Sequence, residues 1–257
     1  MVAVSDRPPD ALVEALVGAW RQGRPLSAET ARRLAPAGPE AAYAVQAALG
    51  HRLGWWPSGR PRGWKLAMGE PPKAAPIPDG LYLESPDQWR GPMSVAGFEA
   101  ELAVRLAHPL PAGASRQAAE AAVGETLAVI ERFDVRAEAW QTLPDTFLLA
   151  DLQMHGGLVI GGGVSGWVGD TLLSLDESDP SPGAGPWRHP LGDPLALLPW
   201  LAEHAAARGW PLQAGDLVAT GSWCGMRELS PGSRVVARFA DVGEVVLQRP
   251  PAGEVAP

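Results

Sequence analysis

The chain has 257 residues, and a typical domain size of about 150 residues predicts one large domain or two small ones. Hydrophobic residues make up 46% of it, which excludes a disordered chain, because such chains lack the apolar surface that offsets the entropy of ordering. Acidic residues outnumber basic residues by 29 to 21, and the resulting net charge of −8 repels phosphate backbones. We therefore expect no nucleic-acid partner.

Two further features bear on where the protein works. No apolar run approaches the length of about 20 residues that a membrane helix needs, and the first residues lack the charged start and apolar stretch of a signal peptide. The single cysteine, Cys224, excludes an intrachain disulfide and a zinc site built from several cysteines. We expect a cytoplasmic protein that has no membrane partner.

The first 55 residues are predicted to form a small helical region. Asp10 caps one helix with an apolar stripe that runs to Trp20, and Pro39 opens a second helix that ends before Gly54. Prolines between Trp55 and Pro92 then predict loops that join short extended pieces. We place the domain division here, with residues 1–55 helical and residues 56–257 forming one larger domain.

The clearest predicted strand runs from Phe98 to Ala107, where apolar residues occupy every second position. Ser115 is predicted to cap a helix that runs to Thr126, followed by a second strand over residues 127–135. Residues 157–160 are predicted as a short buried strand, closed by a turn at the three glycines 161–163.

The remainder of the chain is predicted to be rich in strands. Residues 165–190 carry many Gly, Pro, Ser and Asp and predict a surface excursion. Asp193 starts a helix toward Arg208 that Pro199 should kink or delay. Three further strands are predicted, at residues 216–220, 234–239 and 244–247. Helices followed by strands indicate an α+β fold with a mostly β core.

Three glutamates are candidates for chemistry. Glu99 and Glu101 project from one strand face about 7 Å apart, where they repel unless a cation lies between them; the alternative is a solvated sheet face. Glu131 falls in an apolar row, where an unpaired charge is costly; the alternative is a salt bridge to an arginine. Three carboxylates on two strands would form an oxygen-only site suited to Mg²⁺ or Mn²⁺.

Lysine is rare in this chain, which draws attention to Lys65. Only Lys65 and Lys73 occur, so 19 of the 21 basic residues are arginine. A buried ammonium can lose its proton whereas a guanidinium effectively cannot, so a lysine kept in an arginine-rich chain indicates proton chemistry. The alternative is a surface lysine whose stem lies along apolar residues.

Several segments, taken in order, resemble the 2-keto-4-pentenoate hydratase and 4-oxalocrotonate decarboxylase family of the fumarylacetoacetate hydrolase superfamily. The first are Gly63–Leu66, Asp79–Gly80, Phe98–Ala103 and Ile130–Arg136. The likeness continues in the same order through Asp145–Thr146, Ala150–Asp151, Gly157–Gly161, Gly192–Leu195, Gly215–Ser222 and Val242–Gly243. It covers nearly the whole chain.

The resemblance implies a core of the fumarylacetoacetate hydrolase C-terminal-domain type, residues 56–257 as the catalytic domain, and a homo-oligomer. It also implies a divalent metal, Mg²⁺ or Mn²⁺, and a small 2-oxo acid or 2-hydroxydienoate substrate. The implied site residues are Glu99, Glu101 and Glu131 for the metal, Lys65 and Asp79 for catalysis, and Asp151, His155 and Ser222 for the substrate. We expect burial to lower the pKa of Lys65, and Asp79 to oppose that shift.

The implied reaction adds water to a 2-hydroxy-2,4-dienoate through the metal-stabilised enolate of a 2-oxo acid. Three alternatives stay open: decarboxylation of 2-oxo-3-hexenedioate (4-oxalocrotonate), acylpyruvate C–C hydrolysis, and an inactive homologue that binds a ligand or partner as a scaffold. Hydrolysis would need a water-activating Glu–His pair in the helical region, which offers Glu40 and His51 at a spacing that does not favour it.

Two segments depart from the family pattern. Ala67–Gly69 stands where a Gly-Leu-Thr-like stretch usually follows the lysine, and Leu152–His155 stands where Asn and a small residue usually follow Ala-Asp. The stretch between Lys65 and Asp79 is also short and rich in proline. The metal half of the site is therefore predicted to be intact and the substrate half altered. Four other histidines are predicted to lie on the surface: His51, His108, His189 and His204.

Overall fold

The computed structural model describes residues 10–89, 91–169, 171–178 and 185–253. Its helices are α1 Asp10–Gln22, α2 Ala28–Leu34, α3 Pro39–Leu53, α4 Arg116–Ala122, α5 Asp145–Ala150 and α6 Leu198–Ala207. Its strands are β1 Gly63–Ala67, β2 Lys73–Pro76, β3 Tyr82–Glu84, β4 Asp87–Gln88, β5 Gly97–Leu106, β6 Val123–Phe133, β7 His155–Ser165, β8 Leu173–Glu177, β9 Leu217–Ala219, β10 Arg227–Glu228, β11 Arg234–Phe239 and β12 Gly243–Gln248.

The N-terminal helices agree with the prediction from periodicity. α1 packs against α3 and α3 packs against α5, and their apolar side chains share one buried cluster. α3 ends at Gly54, whose φ of 66° is the left-handed conformation that glycine favours. The short helix α2 was not predicted; the Ser27 side chain caps it by accepting from the Thr30 backbone N–H. The domain division at residue 55 remains a prediction. No helix in the described ranges is long and apolar enough to cross a membrane.

The strands form two sheets. The larger has the order β2-β1-β9-β5-β6-β7-β3, with β10 paired to β5, and the smaller has the order β4-β12-β11-β8. β5 and β6 pair antiparallel along most of their length, and this register places Glu99 opposite Glu131. Glu101 also lies on β5, so these two central strands carry all three predicted metal ligands.

One face of the larger sheet curls around an apolar plug. Side chains from β5, β6, β7 and β9, with one residue that follows β2, pack together in this plug: Ile77, Ala103, Leu127, Val129, Leu158, Leu217 and Ala219. On the same face of β5, Glu99 and Glu101 lie on one side of Ala103 and Arg105 lies on the other. The plug therefore divides the inside of the curled sheet into two polar ends.

The structure corrects the boundary between α4 and β6. The helix that begins after Ser115 ends at Ala122 rather than Thr126, and the strand starts at Val123 and ends at Phe133. Pairing with both β5 and β7 outweighs the helical pattern of this segment. Glycine at position 124 avoids a clash in this strand, because a Cβ there would lie only 2.8 Å from the Cβ of Ala107.

The three glycines at 161–163 do not form the predicted turn. β7 continues through them to Ser165, pairing with β6. A Cβ at Gly161 would lie 2.3 Å from the backbone oxygen of Glu244 in β12, and a Cβ at Gly163 would lie 2.4 Å from Cδ2 of Leu127. The glycines allow close approach of neighbouring strands rather than a reversal of the chain.

The predicted excursion at residues 165–190 contains β8, which pairs with β11 in the smaller sheet. Two histidines expected on the surface are buried instead: His189 is 5% exposed, and His204 in α6 is 8% exposed. α6 begins at Leu198 with Pro199 in its first turn, so the proline delays the helix start, and the three predicted C-terminal strands form as β9, β11 and β12.

Candidate metal and substrate site

Three carboxylates converge at one end of the curled sheet. One oxygen from each of Glu99, Glu101 and Glu131 lies within 4.8 Å of the other two. The pairing of Glu99 with Glu131 and the two-residue spacing of Glu99 and Glu101 produce this convergence. Glu101 is 1% exposed and Glu131 is fully buried, so the solvated-face alternative is wrong for this face.

These three residues fit a divalent cation. Oε1 of Glu101 and Oε2 of Glu131 are buried and have no hydrogen-bond partner among the described residues. The other Glu101 oxygen accepts a hydrogen bond of 2.9 Å from the Gly221 backbone N–H, which fixes the carboxylate. Unpaired buried carboxylate oxygens are costly, and oxygen ligands are those that Mg²⁺ and Mn²⁺ prefer.

Lys65 is the cation that pairs with Glu131. Its Nζ lies 2.6 Å from Oε1 of Glu131 and donates a 3.0 Å hydrogen bond to the backbone oxygen of Gln153. Lys65 is 3% exposed, so the surface-lysine alternative is wrong. The salt bridge of Glu131 is to this lysine and not to an arginine. Burial alone would lower the pKa of Lys65, but the charges of Glu131 and Glu99 outweigh it and raise that pKa, contrary to our expectation.

The pKa values of the three carboxylates shift in different directions. Burial, followed by repulsion from Glu131, raises the pKa of Glu99 to about 7, and the same causes raise the pKa of Glu101. For Glu131 burial also favours the neutral form, but Lys65 and His155 outweigh it and lower its pKa. Ionised Glu131 is thus the anchor of the cluster, and a cation would relieve the repulsion among the three.

His155 is a second partner of Glu131 and is not among the residues that line the cavity. It begins β7, is fully buried, and its Nδ1 lies 2.8 Å from the same Oε1 atom that Lys65 contacts. Burial lowers the pKa of His155, so the neutral ring donates its Nδ1 proton to the carboxylate. The resemblance implied contact with the substrate; the structure shows contact with Glu131.

The segment before His155 adopts an uncommon backbone. Leu152, Gln153 and Met154 have φ values of 52°, 54° and 64°, three consecutive left-handed residues of which none is glycine. Such residues store strain of about 1–3 kcal/mol each and cluster at functional sites. Here the turn directs the Gln153 carbonyl to Lys65 and places Gln153 and Met154 in the cavity wall.

A cavity of about 390 Å³ opens above Lys65 and Glu99. Ser222 also lines it, as the resemblance implied, and is 8% exposed. Its remaining described walls are Leu66, Ala67, Met68, Phe133, Trp140, Gln153, Met154, Pro190, Gly225 and Met226. Residues 67–68 and 153–154, which depart from the family pattern, therefore line the part of the site expected to differ.

Asp79 is not among the residues that line the cavity at Lys65, although the resemblance implied that it acts beside the substrate. It lines a separate cavity of about 380 Å³ together with Arg62, Tyr82 and Arg105. β2 runs antiparallel to β1, so the chain leaves Pro76 opposite Trp64 and continues past the Gly63 end of β1, away from Lys65. The apolar plug therefore separates Asp79 from Lys65.

Asp151 is fully buried and is held by Arg136 rather than exposed to the cavity. Its Oδ1 accepts a 2.7 Å hydrogen bond from Nε of Arg136, and its Oδ2 accepts one of 2.8 Å from the Arg136 backbone N–H. Arg136 also donates to the backbone oxygens of Asp151 and His155. This ion pair holds both sides of the left-handed turn, and Asp151 is not among the residues that line the cavity. Contact between Asp151 and the substrate remains a prediction.

Sequence reasoning missed Arg136, Gln153 and the aromatic wall residue Trp140. Arg136 stands in one of the segments that carried the resemblance, but its sequence neighbours give no sign of its partner. The position of Gln153 within the departing segment was the one available sign that this residue bears on the site.

Comparison with models of protein families gives no match. Among curated proteins, 2-keto-4-pentenoate hydratase 2 of Dechloromonas aromatica (strain RCB) is 31% identical to this chain over 256 residues, covering 92% of this chain and 95% of the relative. The chain belongs to the 2-keto-4-pentenoate hydratase family. The resemblance inferred from the sequence is thereby confirmed.

Solved structures agree with this family assignment at the level of the fold. The 4-oxalocrotonate decarboxylase from Pseudomonas putida G7, complexed with magnesium and adipate, has a TM-score of 0.78 at 19% identity, covering 93% of this chain and 96% of that one. Fumarylpyruvate hydrolase from Pseudomonas aeruginosa, in complex with Mn²⁺ and pyruvate, has a TM-score of 0.55 at 14% identity, covering 75% and 90%. The predicted sheet-dominated α+β fold is confirmed, since the chain shares it with these solved structures.

Proposed function

We propose that this protein is a metal-dependent lyase that adds water to a 2-hydroxy-2,4-dienoate. One observation carries the proposal: three clustered carboxylates, of which Glu101 and Glu131 are buried, lie with a buried ammonium at a cavity that Lys65 and Glu99 line. The hydratase name of the curated relative supports the same reaction. An inactive scaffold has no need for such a costly cluster of buried charges.

Glu99, Glu101 and Glu131 would hold Mg²⁺ or Mn²⁺. The unpaired oxygens of Glu101 and Glu131 support this assignment, and the related structures named above contain magnesium and Mn²⁺. When bound, the ion supplies a positive charge that stabilises negative charge on the oxygens of a 2-oxo acid.

Lys65 acts as a proton donor beside the substrate. Hydration removes the proton of the 2-hydroxyl group as that group becomes a keto group, and it delivers a proton to C5, the terminal diene carbon. Water then adds across the remaining double bond, with hydroxide going to C4 and a proton going to C3. Because the pKa of Lys65 is raised, its ammonium stays protonated at neutral pH and can donate rather than accept the proton. Glu131 and the Gln153 carbonyl fix the position of Nζ.

We also propose that the protein is a homo-oligomer that works in the cytoplasm. The 11 tryptophans and the 46% apolar composition support the assembly, and a single cysteine suits a reducing compartment. Light scattering at micromolar concentration measures the mass directly. A monomer mass of 27.0 kDa would contradict the assembly.

The reaction is tested with purified protein, stripped of metal and then supplied with Mg²⁺ or Mn²⁺. Loss of diene absorbance and formation of a 4-hydroxy-2-oxo acid, identified by NMR, are expected only with metal and 2-hydroxy-2,4-dienoates. Release of CO₂ from 2-oxo-3-hexenedioate would instead support the decarboxylase alternative, which the fold likeness keeps open. Absence of turnover with metal bound would contradict the proposal and support the scaffold.

A further inference from the structure

We propose that the substrate carries a bulky, uncharged apolar group, aryl or branched alkyl, at the end away from its 2-oxo acid group. This inference rests on the proposed function, because it concerns the same cavity. The cavity floor holds Lys65 and Glu99, and the space above it would receive the remainder of the substrate.

The walls of that space are predominantly apolar. Three of the five methionines in the chain, Met68, Met154 and Met226, line this one cavity. Phe133 and Trp140 form an adjoining aromatic wall, with ring centroids 5.7 Å apart in an edge-to-face arrangement. Methionine side chains adapt to irregular apolar shapes and contact aromatic rings favourably, so this lining suits an aryl or branched group.

The mouth of the cavity is apolar as well. Leu191 and Met226 are the large hydrophobic side chains that stand out as exposed in the described ranges, at 46% and 42%. Met226 lines the cavity, and Leu191 follows Pro190, which also lines it. Exposed apolar residues beside a cavity mark a surface that a ligand covers.

The charges of the wall exclude a second carboxylate on the substrate. Among the described lining residues Lys65 is the one cation, and it already contacts Glu131 at 2.6 Å. Gln153 and Ser222 are the uncharged polar side chains of the wall. A dicarboxylate would therefore place its second charge against methionine and aromatic carbon, where an unpaired ion is costly.

The volume also favours a large substituent. A cavity of about 390 Å³ falls within the range of roughly 300–1,000 Å³ that holds drug-sized ligands. A five-carbon dienoate would leave most of the methionine and aromatic wall in contact with water. Burial of a phenyl group against that wall strengthens binding by about 30-fold, at the usual free energy per unit of apolar area.

The test compares unreactive 2-oxo acids by calorimetry on the Mg²⁺-loaded protein. The probes are 2-oxobutanoate, 4-phenyl-2-oxobutanoate and 2-oxoglutarate, which share the metal-binding end and differ in the tail. We expect the phenyl compound to bind about 30-fold tighter than 2-oxobutanoate, and 2-oxoglutarate to bind most weakly.

Two variants locate the effect. Met226→Gln should reduce the ratio of affinities for the phenyl compound and 2-oxobutanoate, whereas Met93→Gln, the same change outside the cavity lining, should leave that ratio at its wild-type value. Met68→Arg should improve binding of 2-oxoglutarate, because it adds a cation to the wall. Met226 is exposed, so its substitution leaves the fold intact.

The outcomes separate this inference from the proposed function. Equal affinity for the phenyl and ethyl tails, or tightest binding of 2-oxoglutarate, would overturn the apolar-tail inference while the metal-dependent 2-oxo acid site stands. Failure of all three probes to bind in the presence of Mg²⁺ would overturn both.

Discussion

Glu99 and Glu131 are register partners on the antiparallel strands β5 and β6, and their side chains share the inner face of the curled sheet. Like charges directly opposite each other destabilise a strand pair, yet here Glu99 is half-buried, Glu131 is fully buried and Glu101 lies beside them. Lys65 and His155 both contact Glu131 and compensate one of the three charges. The remaining repulsion is the driving force that we assign to metal binding.

The first prediction follows from that repulsion. Glu101→Gln removes a ligand charge and should weaken Mg²⁺ or Mn²⁺ binding by at least about tenfold, since even outer partners of metal ligands are worth 10- to 100-fold. The matched control is Glu125→Gln, because Glu125 lies on β6 and pairs with Arg105 at the far end of the sheet. Calorimetry with each ion checks this, and equal affinity in wild type and Glu101→Gln would refute the site.

The second prediction concerns Lys65. Lys65→Met should reduce turnover by about 10²- to 10⁴-fold, the range typical of a general acid or base, while metal binding is retained because no ligand is lost. Lys65→Arg keeps the positive charge but holds its proton far more tightly, so it separates proton transfer from electrostatics. Steady-state rates beside metal titrations provide the measurement. Full turnover in Lys65→Met would remove the proton-donor role.

The third prediction addresses the buried ion pair of Asp151 and Arg136. Asp151→Asn leaves the guanidinium without its buried partner, and the free energy of unfolding should fall by about 3–5 kcal/mol. Asp145→Asn is the control. The Asp145 side chain is 84% exposed, so this substitution should leave the free energy of unfolding nearly unchanged. Urea unfolding measures both. A stable Asp151→Asn protein with a raised KM alone would favour the original expectation that Asp151 binds substrate.

The fourth prediction is a pH dependence of stability at His204. Burial, with Arg208 nearby, lowers the pKa of His204 to about 3, below the value of about 6.5 in an unfolded chain. The folded state therefore disfavours protonation of His204. The contribution of neutral His204 to the free energy of unfolding is fully present above pH 6.5 and is lost as the pH falls toward 3. At pH 5 the loss should be about 1–2 kcal/mol.

The His204→Phe variant tests this assignment by urea unfolding at pH 7.5 and pH 5. His204 lies 4.5 Å from the Tyr43 ring and 4.7 Å from the Trp200 ring, centroid to centroid, so an aromatic ring is compatible with its surroundings. The variant should lose less stability than wild type between the two pH values. An identical loss in both proteins would show that other groups cause the acid sensitivity.

The sequence predicted those parts of the site that depend on local geometry. Alternation along β5 placed Glu99 and Glu101 on one face, since strand periodicity is a property of the chain itself. The pairing of Lys65 with Glu131 was not predictable in this way. Lys65 lies on β1 and Glu131 on β6, and β9 and β5 stand between these two strands in the sheet order. Asp79 was misplaced for the same reason: the direction in which β2 leaves β1 is a tertiary property.

The buried histidines were also beyond local reasoning. His189 follows a stretch rich in Gly and Pro, whereas His204 lies in the largely apolar helix α6. Their rings pack against aromatic rings that are distant in sequence, such as Trp223 and Tyr43. Likewise, the glycines of β7 were interpreted as a turn because nothing in their own segment indicates that β12 packs against them.

The left-handed turn at residues 152–154 has a consequence for how the enzyme can change. The group that anchors Lys65 is the backbone oxygen of Gln153, whereas the side chains of Gln153 and Met154 form the cavity wall. Substitution of either side chain leaves the carbonyl where it is, provided the backbone keeps its shape. The proposed proton donor, Lys65, and the proposed substrate tail therefore contact different atoms of one segment. Substitutions in evolution or by design can change the cavity wall and leave the contact with Lys65 in place.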